Sequence, residues 1–88
     1  MSDKTLVIFR MWEGDVIALF PEVKADLDGN VMSYQFIGQH GAANYQHVIK
    51  TSIPATEEEY IKMALHLTHH YNYYLTIKTH EEYMAIAS

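Results

Sequence analysis

One stretch of this chain, Thr56 to Tyr71, carries helical periodicity through four turns, and nearly everything before it reads as strand. Thr56-Glu57-Glu58-Glu59 has the spacing of a capping box, in which Thr56 and Glu59 satisfy each other's backbone amides. Three carboxylates in the first turn also complement the helix dipole. On a helical wheel Tyr60, Met63, Ala64, Leu67 and Tyr71 share one face, widened by Ile61 and Leu65. Glu58, Glu59, Lys62, His66, His69 and His70 take the other. A helix of ~16 residues and ~24 Å with one apolar face must set that face on another layer. The segments around it are sheet-like, so the partner layer is expected to be a sheet.

Leu6–Trp12 is rich in β-branched and aromatic residues, and Glu13-Gly14-Asp15 supplies a tight turn. Val16–Phe20 is apolar throughout, the pattern of a central strand covered on both faces, and Pro21 ends it or puts its tail at an edge. After the turn Asp28-Gly29-Asn30, Val31–Ile37 alternates, with Met32, Tyr34 and Phe36 opposite Ser33 and Gln35. Gly38-Gln39-His40-Gly41 interrupts that period as a loop or bulge, Gly41 being expected at positive φ. Tyr45–Ser52 reads as a resumed strand with Tyr45, His47 and Ile49 on one side, stopped by Pro54. Beyond the helix Asn72 suits a left-handed terminator, and Tyr73–Thr79 alternates as a last strand. Thr79-His80-Glu81-Glu82 repeats the capping box ahead of a short tail helix ending near Ser88. The fold class is therefore α+β: a small antiparallel sheet of about four to five strands, ordered β-β-β-β-α-β, against one amphipathic helix with a C-terminal helical tail.

Eighty-eight residues make one domain, and 49% apolar with 19% charged residues is a globular composition. No cysteine is present, which suits a reducing compartment. Met1-Ser2-Asp3-Lys4 offers no export signal, and the longest apolar run, Val16–Pro21, is far short of the ~20 residues of a membrane span. A cytoplasmic chain that does not enter membranes is expected. The formal charge is −5 and the six basic residues are scattered singly, which disfavours nucleic acid as a partner.

Six histidines invite a functional reading. His66, His69 and His70 are the weak candidates for a metal, being at i, i+3 and i+4, but no glutamate stands between them as in zinc proteases. Imidazoles in a last helical turn are explained by the dipole alone, so no metal and no cofactor is expected. The loop is the better candidate: Gln39 and His40 between two glycines, with Asn44 and His47 following, could line a small polar pocket. Ser33 and Ser52 lack an elbow sequence, and no phosphate or calcium loop is present, so no catalytic residue is assigned. Seven tyrosines, three of them Tyr71, Tyr73 and Tyr74, suit a protein-contact surface. With one substantial helix, one sheet face would lack cover, and self-association is the expected remedy.

Gly14-Asp15-Val16-Ile17-Ala18-Leu19-Phe20-Pro21-Glu22, then Met32-Ser33-Tyr34-Gln35 and Ile37-Gly38-Gln39-His40-Gly41-Ala42-Ala43, resembles a group of small bacterial proteins of the kind carried on plasmids and integron gene cassettes. The resemblance extends over most of the chain, including Pro54–Tyr60, and implies a compact bacterial domain. It assigns no activity and no site residue. Two functions follow from the residues: a non-enzymatic interaction or adaptor domain acting as a homo-oligomer, or a small-molecule binding protein or minor enzyme using the loop pocket.

Overall fold

The first two strands of the computed structural model, which describes residues 4–87, are β1 (Thr5–Trp12) and β2 (Asp15–Lys24). Residues 1–3, on which part of the N-terminal reading rests, and Ser88 lie outside the described residues. A two-residue turn joins the strands, pairing Trp12 with Asp15, with Glu13 at φ 52° and Gly14 at φ 86°. Positive φ at both central positions matches the right-handed twist of the strands it connects. β2 runs through Pro21 to Lys24, longer than its apolar stretch suggests, because the register shifts between Phe20 and Lys24 and the proline falls in that irregularity. In the next connection the Asp26 carboxylate accepts from the amides of Asp28 and Asn30 and from the Asn30 side chain. The Asn30 bond comes first in holding the Asp26 carboxyl below its ordinary range.

β3 (Val31–Gln35) and β4 (Gln39–Ala43) form a hairpin whose loop is Phe36-Ile37-Gly38. The segment expected to be an interrupting loop is thus mostly strand. Gly38 takes the turn at φ 90°, whereas Gly41 pairs with Ser33 and is not at positive φ, correcting the expectation for that residue. The larger correction follows. Tyr45–Ser52 is no strand: α1 (Tyr45–Lys50) begins there, with Asn44 Oδ1 accepting the His47 amide at 3.0 Å. The apparent two-residue alternation conceals a three-residue spacing, and Tyr45 and Val48 are the buried pair. Pro54 does not stop the sheet either; Ile53–Pro54 is β5, a two-residue pairing on the outer side of β1.

α2 (Glu57–His70) starts at the expected capping box, with Thr56 N–H donating to Glu59 Oε1 at 2.8 Å and Glu59 N–H to Thr56 Oγ1 at 3.3 Å. It ends where Asn72, at φ 61°, turns the chain so that Tyr73 N–H reaches the Leu67 carbonyl. Met63, Ala64 and Leu67 are buried as the wheel requires, while Ile61 and Leu65 stay exposed. β6 (Leu75–Ile77) then pairs parallel with β1, the one departure from antiparallel pairing among the described residues. α3 (His80–Ala87) opens on the second capping box, between Thr79 and Glu82.

The sheet order is β4-β3-β2-β1-β5, with β6 also on β1. Alternation in the central strands builds two cores. Val7, Phe9, Ala18, Phe20 and Tyr34 pack with Met63, Ala64 and Leu67 of α2. Ile8, Ile17 and Leu19 pack on the opposite face with Tyr45 and Val48 of α1, and Tyr83 of α3 joins them. The sheet is therefore covered on both faces, and a bare face supplies no reason for self-association.

Candidate functional site

The hairpin β3–β4 and the C-terminal turn of α2 bring together a group of rings. His40, opposite Tyr34 in the pairing, sits with its ring centroid 4.9 Å from Tyr34, 4.9 Å from Tyr71 and 6.0 Å from Tyr73. Its Nε2 is 2.9 Å from the Tyr73 hydroxyl. Beside it the Tyr71 hydroxyl donates to Gln39 Oε1 over a long 3.5 Å. Burial is the first reason that the Tyr34 and Tyr73 phenols lie above their ordinary value, and proximity to Tyr71 adds to it in both. These contacts fasten the hairpin to the end of α2, with β6 next in the chain.

Asn44 and His47 lie elsewhere. Both go with α1, on the opposite side of the sheet, where Asn44 caps the helix from the position before it and His47 is exposed. The four polar candidates are thus divided between two layers, Gln39 and His40 on one, Asn44 and His47 on the other. On α2 the rings of His66 and His70 stack at 5.0 Å and 10°, presenting faces rather than converging nitrogens, and His69 is exposed. Among the described residues no three acidic or imidazole groups gather where they could hold a metal ion.

The concavity near the loop is one the polar residues do not indicate. A cleft of about 370 Å³ opens between the β1–β2 turn, the β3–β4 hairpin loop and the first two turns of α2. Met11, Val16, Phe36 and Ile37 give it apolar walls, and Asp15, Gln35, Glu59 and Lys62 are its polar lining. Ile37 is 84% exposed and Phe36 51%. Phe36 leans edge-on against His66 at 5.3 Å, so the ring group supports the cleft from below the loop. Strand alternation placed Phe36 on the same side as Met32 and Tyr34. The overlooked signal is two large apolar residues directly ahead of a turn glycine, since apolar side chains at a hairpin tip have no core to enter.

Arg10 is the other residue the sequence reading passed over. It is 6% exposed on the α1 side of β1. Its Nε donates to Ser52 Oγ at 2.8 Å, and its Nη2 to the carbonyls of Ser52 at 2.8 Å and Ile49 at 3.2 Å. The three hydrogen bonds satisfy the buried guanidinium, two of them on Ser52 just past the end of α1, and the third, to the Ile49 carbonyl in the last turn, also meets the negative end of the helix dipole. Its role is to hold α1 on the sheet. Comparison of the chain with protein-family models, with curated proteins and with solved structures found no match.

Proposed function

We propose that this chain is a non-enzymatic interaction domain that takes an apolar side chain of a partner protein into the cleft beside the β3–β4 hairpin, and that it works as a homo-oligomer. One observation carries the reading: Phe36 and Ile37 are held in the open on the wall of a concavity. Keeping large apolar side chains in water opposes folding economy, and such exposure is characteristic of contact surfaces. Two carboxylates, Asp15 and Glu59, against the single ammonium of Lys62 leave the lining net acidic. The partner segment that fits presents an apolar side chain beside a basic one. A cytoplasmic setting belongs to the same reading, supported by the lack of cysteine.

The test is amide chemical-shift mapping with short capped peptides carrying Leu beside Lys or Leu beside Glu. Saturable shifts at Met11, Val16, Phe36, Ile37 and Lys62 with the Leu–Lys peptide, abolished by Phe36→Asp, are the expected result. No saturable shift at the cleft with either peptide refutes the reading. The cleft volume also lies within the ~300–1,000 Å³ of small-ligand pockets, which favours a small-molecule binding protein as the second reading. Binding of small fragments at the same residues, with no response to peptides, would select it.

A further inference from the structure

The two lateral edges of the sheet are built differently. On the β1 side the edge is broken into β5, two residues including Pro54, and β6, three residues followed by Lys78. Short strands, proline and lysine are the usual devices that keep an edge from pairing with another chain. On the other side β4 is a five-residue strand, Gln39-His40-Gly41-Ala42-Ala43, bonded among the described residues to β3 alone. It contains no proline, lysine or carboxylate. The absence of charge extends well beyond it: no Asp, Glu, Lys or Arg occurs between Val31 and Ile49, though the chain has eleven acidic and six basic residues.

We infer that β4 pairs antiparallel with β4 of a second copy of this chain, joining the two sheets into one. Strand addition needs main-chain groups facing outward and small side chains that let another backbone approach. As an edge strand β4 leaves the main-chain groups of alternate residues without a strand partner, and Gly41-Ala42-Ala43 supplies the small side chains, although the Gly41 carbonyl itself is turned to β3 and accepts the Ser33 hydroxyl at 2.9 Å. The occupant is a second copy because a two-fold interface sets each residue against its own kind, and a charged edge would repel itself. A stretch without Asp, Glu, Lys or Arg through β3 and β4 and on to Ile49 meets that requirement, whereas a foreign partner chosen by complementary charge would find none on this edge. The inference rests on the homo-oligomer part of the proposal above and not on its cleft.

Sedimentation of the full chain at micromolar concentration tests it, with a solution mass twice the 10.2 kDa of the chain expected. A Cβ at Gly41 meets no atom within 4 Å and the backbone there is not at positive φ, so the first atom of the Gly41→Glu and Gly41→Lys side chains is accommodated without strain. Each variant alone is expected to sediment as a monomer with an unaltered far-UV spectrum, and an equimolar mixture is expected to recover the dimer. If either variant fails to fold, Ala42→Lys, exposed in the same strand, replaces it. Amide exchange at residues 39–43 should slow as protein concentration rises. A monomeric wild type, or a dimer that persists in Gly41→Glu and Ala42→Lys alike, overturns the inference. Phe36→Asp separates the two proposals, because it should remove peptide shifts at the cleft and leave the dimer intact.

Discussion

Arg10→Met removes the cation that holds α1 against the sheet while keeping much of its buried volume. Three charge-assisted bonds are lost, two at 2.8 Å and one at 3.2 Å. Bonds to a charged group contribute ~1.5–3 kcal/mol each, but the carbonyls at the end of α1 lie near the surface and water recovers part of that. The desolvation of the guanidinium, which the wild type bears and the variant does not, offsets more. A net loss of ~2–4 kcal/mol is expected, against a total of roughly 4–13 kcal/mol for a domain of this length. With a urea dependence of about 1 kcal/mol/M, the midpoint should fall by ~2–4 M, close to complete unfolding if the starting stability is low. Trp12 gives a local reading, since its indole N–H donates to Thr51 Oγ1 at 2.9 Å in the segment Arg10 anchors. Indole fluorescence should therefore change ahead of the far-UV signal if α1 leaves the sheet before global unfolding. Arg10→Lys, whose ammonium cannot span all three acceptors, should fall between the two. A methionine variant within ~0.5 kcal/mol of wild type, or more stable than it, would refute this account of the buried arginine.

Three further outcomes are expected. Thr56→Ala should lower stability by ~1 kcal/mol by unpairing the Glu59 amide, whereas His69→Ala, on the exposed face of α2, should stay within ~0.5 kcal/mol; equal shifts in denaturation midpoint would make the histidine structural. Gly38→Ala should cost ~1–2 kcal/mol because φ is 90°, while Gly41→Ala should be neutral or slightly stabilising; melting curves that reverse this order would contradict the hairpin geometry. The Tyr45 phenol, bonded to His80 Nδ1 at 2.8 Å, is pushed up to about 12, mainly by burial. The unfolded chain then loses the phenolic proton first, so stability is complete below pH ~10 and falls toward pH ~12, by no more than ~1–2 kcal/mol after solvent screening. Tyr45→Phe should flatten the part of the alkaline stability profile that Tyr45 causes, and an identical profile would remove Tyr45 as its source.

Local rules determined whatever depends on a few neighbouring residues. Thr56 with Glu59, Thr79 with Glu82, the Glu13-Gly14 turn and the Asn72 terminator were all legible, because each is a backbone requirement met by side chains one to three positions away. The central strand was legible too, since Ile17–Phe20 can be apolar throughout only if both faces are covered. The other half of that statement, what covers the second face, was not. Tyr45–Lys50 is too short for its period to be decisive, and a helix there is favoured by the Asn44 cap, by Arg10 at its far end and by the apolar face of Ile8, Ile17 and Leu19 beneath it. Apart from Asn44, those partners come from β1 and β2, about 30–40 residues earlier, and no local window contains them. The same is true of the cleft. Phe36 and Ile37 follow strand alternation in the sequence, and only the turn at Gly38, together with the distance of that turn from the cores, leaves them in solvent. Sequence set the elements through short-range chemistry; the tertiary structure decided which side chains had a core left to enter, because burial is a property of the assembled layers.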